Sequence, residues 1–263
     1  MATVSPSLLQ KHMQLFPAVE RAVKVLESDE EVQELLRMAN IMAVGRLRYN
    51  DHGIVHARIV AGTALELLDM LVSAGVKPTM LRDGTASNID EVRVAITMAS
   101  YLHDIGNSVH RVLHEYFGAL IAKDILTRLL PDVLGYSGRR MYAIRQEVMH
   151  MIFATEYNTN CLTNECSIVK IADGLDMSEG RARVPYKLGK LDIHAASALS
   201  IKRVEVGSGE ERPVRVTVYM DDSAGIFQVE AVLLPKIKTG TLQDLVEVYI
   251  HSPLMRGLYY PRK

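Results

Sequence analysis

Residues 92–107 read VRVAITMASYLHDIGN. Val92, Ile96, Ala99 and His103 recur at the three-to-four-residue spacing of one helix face, so an apolar stripe runs directly into an imidazole and then into the carboxylate of Asp104. Two other segments repeat the pattern. In DHGIVHARIVAGTALELL, from Asp51 onward, His52, His56, Val60, Ala64 and Leu67 share a face. In HRVLHEYFGALIAKDIL, from His110 onward, the shared set is His110, His114, Gly118, Ile121 and Ile125. His150 lies in RQEVMHMIFATE, and Asp173 follows the apolar run of SIVKIADGLDM. Separate helices are thus expected to turn imidazole and carboxylate groups inward, where each is costly unless paired, hydrogen-bonded or bound to metal. One or two divalent ions would satisfy them together, and imidazole nitrogen with carboxylate oxygen suits manganese, iron, nickel or zinc.

The rest of the first two thirds also reads as helix after helix. Ser28 with Glu31 forms a capping-box signature before VQELLRMANIMAV, and Asn88 with Glu91 does so before VRVAITMASYL. Pro6 and Pro17 stand where a first helical position tolerates a missing N–H. SAGVKP and RDGTASN mark breaks. Past about Pro185 the period changes: LSIKRVEV, PVRVTVYM and GIFQVEAVLL alternate and are rich in β-branched residues, with turn-like GSGEER and DDSA between them. TLQDLVEVYIH, from Thr241, reads as a final helix. The expected architecture is mainly α: a helical domain over 1–187, then a small α+β appendage over 188–263 with a three-stranded antiparallel sheet.

The 263 residues suffice for one large domain, or one domain with a smaller companion, around a sizeable core. With 48% hydrophobic residues the chain is no disordered segment, and a net charge of −1 argues against a general nucleic-acid binder. The longest apolar stretch is interrupted by Glu66 and Asp69, so no membrane span is expected. The opening MATVSPSLLQKH has no basic stretch leading into an apolar one, which points to a cytoplasmic protein. Cys161 and Cys166 fit no common zinc spacing and are expected as reduced thiols. Of nine histidines, five lie between His52 and His114, while His12, His194 and His251 read as ordinary core or surface residues.

The order and spacing of the polar set resemble the HD-domain metal-dependent phosphohydrolase superfamily over roughly residues 45–185. That family has a histidine, a His–Asp pair, two further histidines and an aspartate on successive helices. Here the matching positions are His56, His103 with Asp104, His114, His150 and Asp173. His56, His103, Asp104 and Asp173 imply one metal ion. The additional His114 and His150 match the branch that binds two, which includes HD-GYP phosphodiesterases and diadenosine-tetraphosphate hydrolases. HD-GYP proteins carry HDIGK where this chain has HDIGN, and no GYP follows His150, so cyclic dinucleotides are not the expected substrate. His52, four residues before His56, matches in part the His-Asn-x-x-His-Ala motif of cyclic-nucleotide phosphodiesterases, with Gly53 in place of the asparagine.

The resemblance implies a phosphohydrolase built on a helical HD-type bundle. A metal-activated hydroxide would attack phosphorus, Asp104 would bridge the ions, and His52 or His110 would protonate the leaving oxygen. Arg111, Arg181 and Arg183 are candidate phosphate ligands, since an arginine fork suits phosphate geometry. Asp176, one turn past Asp173, is a candidate to orient a ligand. The expected partner is a small phosphorylated substrate, a nucleotide first among them, with a homo-oligomer left open. The rival readings are a mononuclear nucleotidase or deoxynucleotide triphosphohydrolase, and a nucleotide sensor without turnover.

Overall fold

The computed structural model describes residues 1–178 and 193–261. Nine helices come first: α1 Ser7–Leu15, α2 Pro17–Ser28, α3 Glu30–Asn40, α4 Ile54–Ser73, α5 Thr79–Asp83, α6 Ile89–Leu102, α7 His114–Leu134, α8 Arg139–Phe153 and α9 Asn164–Leu175. α4 packs against α1, α6 and α9, while α7 and α8 pair alongside α6. Val60, Ala64, Leu67 and Leu68 of α4 are fully buried, as are Val92, Ile96 and Ala99 of α6, which is the stripe that the spacing predicts. A bidentate pair from Arg58 to Glu27 (2.8 and 2.9 Å) and the Tyr101 hydroxyl on the same carboxylate (2.7 Å) tie α2, α4 and α6 together. No helix among the described residues is long and apolar enough to cross a membrane.

Two of the expected helix starts match the structure and a third is shifted by one residue. Asn88 caps α6, its side chain accepting the Glu91 N–H at 3.0 Å, and Pro17 opens α2. Ser28, however, closes α2. The cap of α3 is Asp29, which accepts the Val32 N–H at 3.0 Å, an interaction that contributes about 1 kcal/mol. The segment from His110 to Leu113 is a turn, and α7 begins at His114. Cys161 and Cys166 form a disulfide that ties the loop after α8 to the first turn of α9, contrary to the expectation of free thiols.

The C-terminal part departs furthest from expectation. After α10 (Ile193–Ser200) come β2 Ile201–Ser208, β3 Val214–Met220, β4 Val246–His251 and β5 Arg256–Tyr260, while β1 Ala2–Thr3 joins from the chain start. The sheet is five-stranded and mixed, in the order β1-β2-β3-β4-β5, with β3 and β4 parallel and the other pairs antiparallel. The run GIFQVEAVLL is not a strand. Residues 223–238 form a helical crossover through 3-10, α and π turns. Its buried residues Gly225, Gln228, Val229, Leu233, Leu234, Lys236 and Ile237 follow helical rather than alternate spacing. In turn, the helix expected from Thr241 is strand β4, in which Val246, Val248 and Ile250 all face inward with period two. The inner face of the sheet joins the apolar cluster of the helices, so one core runs through both parts.

Candidate metal centre

Four helix ends meet at the site. His56 lies in the first turn of α4, His103 caps the C-terminus of α6 with Asp104 next to it, and His114 opens α7. Asp173 lies in the last turn of α9 and Asp176 is its C-cap. The C-termini of α6 and α9 carry partial negative charge, which favours a cation between them. The turn Ile105–Ser108 packs so closely on the first turns of α7 that Gly106 has no room for a Cβ. This approach brings His114 Nε2 to 3.5 Å from Asp104 Oδ1.

His56, His103, Asp104 and Asp173 converge. His56 Nε2 is 3.3 Å from His103 Nε2, 3.2 Å from Asp173 Oδ1 and 3.4 Å from Asp104 Oδ2. His103 Nε2 is 3.3 Å from Asp104 Oδ2 and 3.7 Å from Asp173 Oδ1. Each ring's other nitrogen is committed: His56 Nδ1 donates to Asp176 Oδ2 at 2.7 Å, and His103 Nδ1 to the Ser100 carbonyl at 2.9 Å. In that tautomer both Nε2 lone pairs face the same point as two carboxylate oxygens. Four electron-rich atoms so placed are held together by a positive charge among them, either a proton on an imidazole or a metal ion, and the donor set suits a divalent transition metal. Two groups of ligating atoms each lie within 4.8 Å of one another: His52, His56 and Asp104, and His56, His103 and Asp173.

The electrostatics agree. Burial opposes ionisation of Asp104, but the charges of His52 and His103 and their hydrogen bonds outweigh it and hold the carboxyl well below the ordinary range. Asp173 is likewise lowered against its burial, by Lys236 and then by His103 and His56. Burial pulls His103 down, yet Asp104 and Asp173 raise it to about 9. Near pH 7 that ring therefore carries a proton which an incoming ion must displace. Metal affinity is expected to rise with pH by up to about tenfold per unit below that value. Titrating manganese into apo-protein at about pH 6 and about pH 8 checks this, and equal affinities would contradict it.

The structure also sorts the remaining candidates. His52 is buried, lines the cavity, and its Nδ1 lies 2.6 Å from Asp104 Oδ2. His110 is exposed, off the helix, and accepts the Val112 N–H on Nδ1 at 3.0 Å, so it is not brought to the cluster. Nor is His150, whose Nε2 accepts the Leu162 N–H at 3.1 Å. His114 stands beside the cluster, but its Nε2 faces Arg111 Nη1 at 2.9 Å, so a guanidinium rather than a carboxylate is its nearest polar neighbour on that nitrogen. Arg111 lines the cavity, whereas Arg181 and Arg183 lie outside the described residues. Asp176 does orient His56, as its position one turn past Asp173 suggests. Asp176→Ala is expected to weaken metal binding about 10- to 100-fold while the fold is kept, measured by competition with a chelator.

Asn107, in place of a lysine, donates to Asp104 Oδ1 at 3.0 Å and so fixes the oxygen that faces away from His56. The cavity above the cluster has a volume of about 390 Å³. Its walls include Tyr49, Glu115 and Tyr157, together with Gln228 and Lys236 from the C-terminal crossover. Sequence reasoning missed Lys236; the available signal was a single basic residue in the mostly apolar run 226–237.

A helical bundle that presents a histidine, a His–Asp pair and an aspartate from separate helices around one point forms a candidate divalent-metal site. The chain belongs to the HD domain family, which its residues 51–178 match. HD domains are typically metal-dependent hydrolases. An uncharacterised protein of Methanocaldococcus jannaschii is 41% identical over 224 residues, covering 85% of each chain. No solved structure matches the chain.

Proposed function

We propose that this protein is a metal-dependent phosphohydrolase that cleaves a phosphoester or phosphoanhydride bond of a nucleotide or another small phosphate compound. The observation that carries this reading is the convergence of two imidazole lone pairs and two carboxylate oxygens at the floor of a polar cavity. His56, His103, Asp104 and Asp173 would hold the ion. A divalent metal there lowers the pKa of water toward neutrality and offsets charge on phosphoryl oxygens. Of the two proton-donor candidates His52 is favoured, because it is buried, lines the cavity and is oriented by Asp104 through Nδ1. Arg111, at the cavity wall, offers a guanidinium to a substrate phosphate.

A single ion is the form the described residues favour, because His150 is engaged with Leu162 and Arg111 occupies the His114 nitrogen. This brings the chain nearer to the mononuclear reading than to the two-metal branch. The test is a screen of nucleotides, dinucleoside polyphosphates and simple phosphomonoesters with manganese, iron, nickel or zinc added. Metal-dependent release of phosphate or of a nucleotide product is the expected result. Tight binding of a nucleotide with no turnover under any metal would instead make the protein a sensor.

A further inference from the structure

Lys236 is a charged residue that the HD match at 51–178 does not include, yet it reaches the centre of the site. It is 3% exposed, and its Nζ donates to Asp173 Oδ2 at 2.6 Å and to the Thr155 carbonyl at 3.2 Å. The ammonium also sits 4.7 Å from the centre of the Tyr157 ring. Burying an ammonium is costly, and only good partners repay the cost. Asp173 is already engaged through its other oxygen, Oδ1, by His56 and His103. Holding a carboxylate in place needs one neutral donor, and an asparagine or a backbone N–H would suffice.

A full charge at this position has a further use. Lys236 is not sealed behind Asp173: with Gln228, Ala231 and Val232 of the same crossover it forms a wall of the cavity. An ammonium has three donors, and Asp173 and Thr155 take two of them. We propose that the third donates to a non-bridging phosphoryl oxygen of the substrate, so that the C-terminal crossover completes the phosphate site. This rests on the phosphohydrolase reading for the nature of the ligand, but it can fail separately.

Inorganic phosphate is the probe. It is titrated calorimetrically into manganese-loaded full-length protein, as wild type, Lys236→Met and Lys236→Arg, with metal content and circular dichroism measured on the same samples. Losing a charge-assisted bond should weaken phosphate binding about tenfold to a hundredfold in Lys236→Met with the metal retained, and Lys236→Arg should recover most of it. Lys236→Gln, which keeps a donor for Asp173, carries the same comparison if the methionine variant does not fold. Phosphate affinity that is unchanged, or that falls only as far as metal is lost, would overturn the proposal, as would a wild type that binds no phosphate. Phosphate binding that depends on Lys236 in a protein that hydrolyses nothing would sink the enzymatic reading alone.

Discussion

Asp104→Ala is expected to abolish metal-dependent hydrolysis of a generic substrate such as bis-para-nitrophenyl phosphate, with a loss on the order of a thousandfold or more and the fold retained. Asp104 is the residue with most demands on it. Its Oδ2 faces His52, His56 and His103 at 2.6, 3.4 and 3.3 Å, and its Oδ1 faces Asn107 and His114 at 3.0 and 3.5 Å. Removing it deprives an ion of a negative ligand and releases the ring of His52, the favoured proton donor, in one step. The fold should be kept because His103 can give up its proton once Asp104 is gone, although the metal-free protein loses the stability of that buried pair. Steady-state kinetics together with circular dichroism checks both halves. Hydrolysis that persists at the wild-type rate would remove this cluster from the chemistry.

The second large effect is on stability. Gly106→Ala places a methyl group against the carbonyl oxygen of His114 and the amide nitrogen of Gly118, both backbone atoms with no rotamer to adopt. The turn after the His–Asp pair must then separate from α7, at a cost of about 3 kcal/mol. For a chain of this size that is a fall in melting temperature of roughly 6–12 °C. The same displacement draws His114 and Arg111 away from Asp104, so substrate affinity should suffer in whatever fraction remains folded. A melting temperature within about one degree of wild type would show that the close packing is not needed.

The helical part was legible because its signals are periodic and local. His103 and Asp104 stand at the end of a stripe that begins at Val92, and His56 stands on the stripe continued by Val60 and Ala64. The site these residues form follows from where the stripes point. His110 was misplaced because the same spacing reasoning assumed a helix that starts only at His114, after Leu113 adopts a left-handed conformation at φ 61°. His150 satisfies the family pattern by position, but no spacing rule reports which way a ring faces, and here it meets the Leu162 amide. The C-terminal part was misread because 225–234 mixes β-branched residues with a partial alternation, while its real neighbours are α10 and α9. Packing against them selects a helical crossover that local propensity does not. Lys236 was hidden by that error: two residues past the end of an expected strand it reads as an ordinary surface charge, whereas on the crossover it enters the cavity beside Asp173.

The metal centre itself is tested most directly by counting ions. Apo-protein is titrated with manganese, desalted and assayed for bound metal as wild type, His56→Ala and His150→Ala. About one tightly held ion per chain in the wild type and in His150→Ala, and none in His56→Ala, is the expected result. A wild type that retains no ion, or a His56→Ala protein that retains as much as the wild type, would contradict a metal site at the convergence of His56, His103, Asp104 and Asp173.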